Sequence, residues 1–545
     1  MRFSSRLATA LGAVATAAAL AASPAAAQQT GTVSGNVTAA GSNEPLAGVS
    51  VTVTGTNLSV VTNPQGHFVL RGVPAHTVTL RALRIGYVEQ TRSVAVPAGG
   101  NATADFRLAV SAVQLAPVVT TATGEARRLT VGNVVGTVNA AQVTQERPIA
   151  NMSDLLTARV PGVQVLPGNS TGTGGRVRIR GTSSLSLSND PIYVIDGVRM
   201  NSATNSTAIG VGGSTPSRVN DLNPNEIESI EVVKGPSAST LYGTDAANGV
   251  IVIRTKRGRV GRPQWSVYTE QGIIRDQNDY PTAYRAWRSG STSANGTQCF
   301  LVDLAAGRCT QDSITSFNLF ENSRTTPLGT GRRNLYGLQV SGGSEVLRYF
   351  VSSELEGETG ILKIADFDVD RLNRQGISIR DEWMHPNALN RGSARANLNV
   401  TLSPKADFAV NSNYIVLAQR LPQIDNNTTG LQSSAYGGPG FGYNVTATGD
   451  SLFGYRAFTP GDIFQETVRQ DINRFIGSMT ANFRPSSWLT ARGNFGVDFT
   501  NRLDRDLCRR NNCSNFGSSR LGFKSDYRTA FNVYTVDAAA TANAH

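Results

Sequence analysis

Lysine is almost absent from this chain of 545 residues. Lys234, Lys256, Lys363, Lys405 and Lys524 are the only ones, so the net charge of +11 rests on arginine. Charge of either sign is scarce: 16% of residues are Asp, Glu, Lys or Arg, against roughly 25% in an ordinary soluble domain. The arginines are scattered and form no basic run with interleaved aromatics, which argues against a nucleic-acid partner. Beyond residue 27 no stretch reaches the ~18 apolar residues of a membrane helix. His67, His76, His385 and His545 all lie apart from the four cysteines, so spacing assembles no zinc ligand set. Catalytic signatures are missing too: there is no HExxH, no GxSxG and no phosphate-cradling Walker sequence. Gly172-Thr-Gly174-Gly175 is a lone glycine cluster without the strand–helix context of a dinucleotide site. Asp366-Phe-Asp-Val-Asp370 starts like a calcium loop, but Arg371 replaces its glycine and Ile377 its closing glutamate, which leaves a spacer between strands. The reading is of no enzyme, no bound metal and no cofactor.

What is present begins with an export signal. Arg2 and Arg6 precede an apolar segment from Leu7 to Ala22, and Ala25-Ala26-Ala27 offers small residues for cleavage. Residues 1–27 therefore read as a signal peptide, with Gln28 as the mature start. No cysteine follows the cleavage site, so no lipid is attached there. An exported protein favours disulfides, and the cysteines fall into two local pairs, Cys299 with Cys309 and Cys508 with Cys513. Glycine is abundant, at 55 residues. The whole reads as mainly β.

Residues 28–108 carry short strands with turn chemistry between them. Val49-Ser-Val-Thr-Val-Thr54 alternates strictly, and Asn63-Pro64-Gln65-Gly66 is a strong turn. Such spacing predicts a small β-sandwich. Gly35-x-Val37, Pro45-Leu46-Ala47-Gly48-Val49, Val51-x-Val53-x-Gly55-Thr56, Thr62-x-x-x-Gly66-x-Phe68 and Ile85-Gly86-Tyr87 make this unit resemble the carboxypeptidase-regulatory-like domain, a transthyretin-like sandwich. Some relatives of that carbohydrate-binding-like fold bind sugars, which is an implication of fold alone.

Residues 109–130 are a linker holding an extended segment around Pro117, Val118, Val119, Thr120 and Thr121. Residues 131–257 read as an α+β globule: a helix over Met152–Ala158, strands at Val163–Leu166, Arg176–Arg180, Ile192–Asp196 and within Asn225–Lys234, a helix over Ser237–Tyr242, and a last strand at Val250–Thr255. Its motifs are Arg178-Ile-Arg180-Gly181, Pro191-x-Tyr-Val-x-Asp196-Gly197-Val, Ile227-Glu228-Ser-Ile-Glu231-Val, Lys234-Gly235-Pro-Ser-Ala, Leu241-Tyr242-Gly243 and Ala247-Asn-Gly-Val-Ile251. In this order and spacing they resemble the plug of a TonB-dependent receptor. With the sandwich in front, Val160-Pro-Gly-Val163 and Asn189-Asp-Pro191, the resemblance is to the SusC/RagA branch. It implies import of a glycan or peptide, a TonB-type energy-coupling protein and a SusD-like surface lipoprotein as partners, and residence in the outer-membrane lipid. Pro117–Thr121 then takes the position of the TonB box, a strand captured by edge pairing, although Pro117 stands where the family has an acidic residue. Arg178, Arg180, Glu228, Glu231 and Lys234 are expected to coat the plug, with Arg180 as a latch to wall carboxylates.

Residues 263–545 change to segments of ~10 residues with dyad alternation, the pattern of an outer-membrane barrel. Examples are 334–340, 347–355, 394–402, 408–416, 475–483, 489–499 and 529–542. Short connections at 342–345, 404–407 and 485–487 alternate with long ones at about 275–333, 357–392, 418–473 and 501–528. Short turns are periplasmic and long loops external in such barrels, so both cysteine pairs fall outside. A plug cannot fit inside eight strands, whose interior is filled by side chains; plugged transporters use about 22. The expectation is the incomplete first part of a barrel and a chain that is the N-terminal portion of a longer protein. The alternatives are a signalling or binding receptor without transport, a non-functional fragment, and a soluble exported sugar-binding protein. The last requires the apolar face after residue 263 to be buried; a barrel requires it to point outward.

Overall fold

The computed structural model describes residues 30–40, 43–84, 87–109, 118–121, 124–127, 135–168, 170–185, 188–202, 216–235, 238–288, 297–447, 449–486 and 488–542. The signal segment and Pro117 lie outside them. The chain divides into two compact units, before and after residue 117.

The first unit is a two-sheet sandwich. One sheet joins β4 (His67–Pro74), β1 (Thr30–Ala39) and β7 (Asn101–Thr103), with β8 (Phe106–Leu108) also on β1. The other runs β3 (Ser59–Val61), β2 (Ser50–Val53), β5 (Thr77–Leu83), β6 (Gln90–Ala95). Period-2 alternation sends Val33, Val37, Val51, Val53, Phe68, Leu70, Leu80 and Phe106 into one core. The Asn63–Gly66 turn is held by Asn63 Oδ1, which accepts from the amides of Gln65 at 3.0 Å and His67 at 2.9 Å. Gly66 takes φ +74° with the Val37 carbonyl 2.6 Å from where a Cβ would stand, so only glycine fits.

The second unit starts with a hairpin of β9 (Val118–Thr121) and β10 (Gly124–Arg127). A globule follows, with a sheet in the order β11 (Val135–Val138), β16 (Ile227–Val233), β17 (Val250–Thr255), β14 (Ile192–Ile195), β15 (Val198–Arg199). A second hairpin, β12 (Val163–Leu166) with β13 (Arg176–Ile179), accompanies it. Helices span Ala140–Glu146 and Met152–Leu156, each capped by an asparagine whose side chain accepts from the first turn. The first of these helices and β11 were not anticipated. The core gathers Met152, Leu155, Ile195, Ile230, Val232, Ile251 and Ile253, and also Ile415 and Ile476 of the large sheet.

That sheet is an antiparallel run of eight strands: β18 (Gly261–Ile274), β22 (Gly331–Gly343), β23 (Leu347–Thr359), β24 (Ala388–Ser403), β25 (Ala406–Arg420), β26 (Thr467–Ser486), β27 (Leu489–Cys508) and β28 (Phe523–Ala542). It does not close on itself: β18 and β28 are its two ends. Its sidedness is the reverse of a soluble sheet. The face toward the globule buries Glu354, Arg391, Arg395, Asn397, Asn413, Gln470, Arg474, Asp498 and Asp504, while Trp265, Val267, Leu398, Tyr414, Phe475, Met479, Phe495, Tyr534 and Val536 point outward and are exposed. A polar inner and apolar outer face is the arrangement of a wall in lipid, and the soluble-protein alternative fails on it.

The strands run further than the sequence pattern indicates; β26, β27 and β28 have 20 residues each. The ladder continues past the apolar belt, where side chains no longer alternate in polarity. The long connections shrink to 275–330, 360–387, 421–466 and 509–522. They are folded rather than loose. A small sheet joins β20 (Thr297–Gln298), β19 (Ala283–Arg288) and β21 (Gln311–Phe317), and Leu362, Phe367, Trp383, Leu431, Leu452, Tyr455 and Phe464 share a core of their own. Asp366–Asp370 is not a spacer. It opens the helix Asp366–Arg374, and Asp368 accepts from Thr459 Oγ1 at 2.8 Å and from the Gly461 amide at 2.7 Å.

The plug–wall interface as candidate functional site

The globule sits against the inner face of the sheet through the apolar side chains of Ile415 and Ile476 and through charged and polar contacts around three wall arginines, Arg391, Arg395 and Arg474. Arg474 of β26 is fully buried. Its Nε and Nη2 donate to Asp498 of β27 at 2.9 and 2.6 Å. Nη1 donates to the Arg218 carbonyl at 2.7 Å and to Asp221 Oδ2 at 3.1 Å, and Nη2 also to the Asn201 carbonyl at 3.0 Å. All five guanidinium N–H groups are thereby used, three of them by the globule.

Arg395 of β24 donates from Nε to Glu226 Oε2 at 2.7 Å, and its Nη1 lies 3.8 Å from Asp196 Oδ2. Ser352 of β23 donates to the other oxygen of Glu226 at 2.8 Å. Arg391 pairs with Glu356 on the neighbouring strand at 2.7 Å and donates to the Asn220 carbonyl at 2.6 Å. Around these lie contacts to uncharged wall groups: Arg218 to Gln470 at 2.9 Å, Asn397 to Thr255 at 2.8 Å, and Asn494 to the Gly197 carbonyl at 3.1 Å. Burial pulls the Arg218 pKa below the ordinary arginine value. At Gly496 a Cβ would stand 2.4 Å from Val198, so a glycine on the wall lets β15 approach.

The motif residues have other duties. Asp196 and Gly197 form a two-residue hairpin turn with φ +45° and +84°, the arrangement that an Asp-Gly pair favours. The Asp196 carboxylate accepts from the Thr255 amide at 3.1 Å and hydroxyl at 2.6 Å. Glu231 and Lys234 are buried rather than coating the surface. Glu231 faces Arg254 at 3.7 Å, and Lys234 donates to the Pro161 carbonyl at 2.8 Å. Arg178 pairs with Asp190. Glu228 is half-buried. Arg180 is exposed, with its guanidinium against Gly235; the wall contacts described here come instead from Asp196, Asp221 and Glu226, and the polarity is inverted, with arginines on the wall and carboxylates on the plug. Gly181, Gly235 and Gly243 all take positive φ. Burial, with Glu231 and Asp537 nearby, pushes the Tyr242 hydroxyl up to about 12. Val118–Thr121 pairs in register with Gly124–Arg127. Cys299 is bonded to Cys309 and Cys508 to Cys513, both pairs at the long-loop end. Among the described residues no group of three or more His, Cys, Asp or Glu is placed to hold a metal.

Residues 128–250 match the model of the TonB-dependent Receptor Plug Domain, and residues 32–109 that of the Carboxypeptidase regulatory-like domain. TonB-dependent receptor SusC of Bacteroides thetaiotaomicron is 29% identical over 334 residues, covering 60% of this chain and 30% of the relative. The chain carries a TonB-dependent receptor plug domain and is similar to SusC/RagA-type TonB-dependent receptors. TonB-dependent receptor P39 of Formosa agariphila is 28% identical over 388 residues, covering 68% of this chain and 34% of the relative. The chain thus spans about a third of the length of both. Its fold is like that of the RagAB peptide importer in the closed-closed state, with a TM-score of 0.51 and 21% identity over 75% of this chain and 45% of that one. Receptors of this family are outer-membrane β-barrels, and among the described residues no helix is long and apolar enough to cross a membrane. The globule is the plug, and the eight-stranded sheet is wall.

Proposed function

We propose that this chain belongs to a receptor that actively imports a nutrient of the glycan or peptide class across the outer membrane. The observation that carries the reading is the plug held on the polar inner face of the wall by arginine–carboxylate contacts. Such contacts can be exchanged for water, and the apolar wall side chains in the plug core, Ile415 and Ile476, are few beside them, so the plug can shift where a greasy seal would not. A SusD-like lipoprotein delivers the ligand at the long-loop end. A TonB-type protein takes Val118–Thr121 by strand addition, which needs main-chain edges more than a particular sequence. Force applied there breaks the contacts around Arg395 and Arg474, and the ligand passes.

Deletion of residues 115–123 in the complete gene tests this. Uptake of the ligand should stop while binding at the cell surface persists. Uptake that survives the deletion rejects the proposed box, and loss of both activities points to a folding defect instead.

A further inference from the structure

The outward face of the wall carries a feature that import does not require. Along β25 the outward positions are Ala406, Phe408, Val410, Ser412 and Tyr414, and those of β26 and β27 are equally apolar up to Phe475 and Phe499. Tyr414, Phe475 and Phe499 stand in one cross-strand row. Residues 406–414 amount to nine, which fits the ~9–11 residues of a strand crossing the hydrocarbon, so this aromatic row marks the outer edge of the belt.

Six residues further along β25, on the same face, Arg420 pairs in register with Arg469, and Arg469 with Arg505. Three guanidinium groups thus stand side by side across three strands, which lie about 4.8 Å apart. Like charges directly opposite one another destabilise a sheet. The local carboxylates offset this only in part. Arg469 pairs with Asp471 at 2.8 Å, and Arg505 with Asp526 at 3.1 Å, which Lys524 shares at 3.0 Å. Asp381 and Glu382 act on Arg420, and Glu382 is taken by Arg509 at 3.1 Å. Arg528 is exposed on the same outward face. Six cations (Arg420, Arg469, Arg505, Arg509, Lys524, Arg528) thus face four anions (Asp381, Glu382, Asp471, Asp526), an excess of two. Arg420 Nε is buried without a partner. Strand rise and a ~45° tilt put the row about 14 Å above the aromatic edge. That is the depth of lipid headgroups and the first sugars beyond them.

We infer that the row Arg420–Arg469–Arg505 binds the phosphate groups of an outer-leaflet glycolipid, seating the wall at a fixed depth. This rests on the wall reading and on the long loops being external. Guanidinium groups suit phosphate because each offers paired donors, and a headgroup whose acyl chains lie against the apolar belt below is held at two points.

The test uses the complete receptor, recovered from the outer-membrane fraction in mild detergent. Retained phosphorylated glycolipid is measured by native mass spectrometry. Binding is also measured to phosphatidylcholine vesicles with and without a bisphosphorylated, acylated diglucosamine. Arg469→Ala/Arg505→Ala should lower retained glycolipid at least tenfold and abolish the preference for phosphorylated vesicles. Arg469→Lys/Arg505→Lys should keep part of both, with thermal unfolding unchanged. Arg484→Ala, at the short-turn end and paired with Asp407, should change neither. Equal retention by wild type and the double Ala variant overturns the inference, as does displacement of the lipid by an equal concentration of inorganic phosphate. A receptor absent from the outer membrane overturns both this inference and the import reading, whereas normal localisation with no lipid preference overturns this one alone.

Discussion

Replacing Arg474 with alanine should loosen the plug far more than it loosens the wall. The side chain is wholly buried and makes five donor contacts, three of them to plug atoms. Removal leaves the buried Asp498 without the guanidinium that pairs with it, and leaves Asp221 with Arg218 alone, at 3.5 Å. Breaking a buried pair in this way costs about 3–5 kcal/mol, a roughly hundred- to few-thousand-fold change in an equilibrium constant. The five hydrogen bonds are not summed, because contacts of one group do not add. Asp221→Asn is the milder probe. It keeps the shape and loses one charged acceptor at 3.1 Å, so about 1–2 kcal/mol is expected. The assay is amide hydrogen exchange on the complete receptor in detergent, comparing strands β14, β16 and β17 with wall strands β23 and β24. Plug amides should exchange roughly a hundredfold faster or more in Arg474→Ala, with the wall amides nearly unchanged. Adding Asp498→Asn to Arg474→Ala should recover part of the loss, since the orphaned charge is removed. Equal plug protection in wild type and a folded Arg474→Ala variant would refute the idea that this arginine holds the plug.

Three further outcomes are expected. Phe68→Ala removes the largest side chains' contact in the sandwich core, where Phe68 packs 6.3 Å from Phe106, and should cost about 3–5 kcal/mol, read as a lower unfolding midpoint of that unit by calorimetry. Cys299→Ser with Cys309→Ser opens a loop of separation 10 and should cost the outer sheet about 3 kcal/mol in the chain-entropy account, seen as faster proteolysis there with unchanged wall exchange. Burial beside Asp462 pushes Asp368 up to about 6, against the pull of Arg371. A carboxyl raised in the folded state contributes stability fully present below its ordinary value and lost as pH rises through the folded one, so the loops joined by Asp368 should become easier to cleave between about pH 4 and 6 and stay level above. Asp368→Asn should flatten that profile.

Strand alternation made most of this architecture legible. The dyad pattern from residue 334 onward marks the wall strands, and the spacing of Asn63-Pro-Gln-Gly66 marks the sandwich turn. The Asp196-Gly197 hairpin lies within a motif that the sequence displays openly. The plug–wall contacts were less visible, because Arg395 and Arg474 look like any charged residues in strands that alternate. Their signal is phase: each occupies the inward parity of its strand, where only a polar partner on another element can satisfy a full charge. Finding that partner requires register, which pairs residues hundreds of positions apart, as in Asp221 with Arg474. The folded outer loops escaped for a different reason. Their core is assembled from Leu362, Trp383, Leu452 and Tyr455 on separate loops, none of which shows a period of its own.

The complete use of Arg474 also bears on how such a wall comes to exist. An inner lining whose cations find their acceptors on a separate globule is only half specified by its own strands. The plug supplies the rest, as the Arg218 and Asn201 carbonyls and Asp221 do for Arg474. A receptor deprived of its plug should therefore show its defect first as slow or faulty insertion, well before any question of leakage arises.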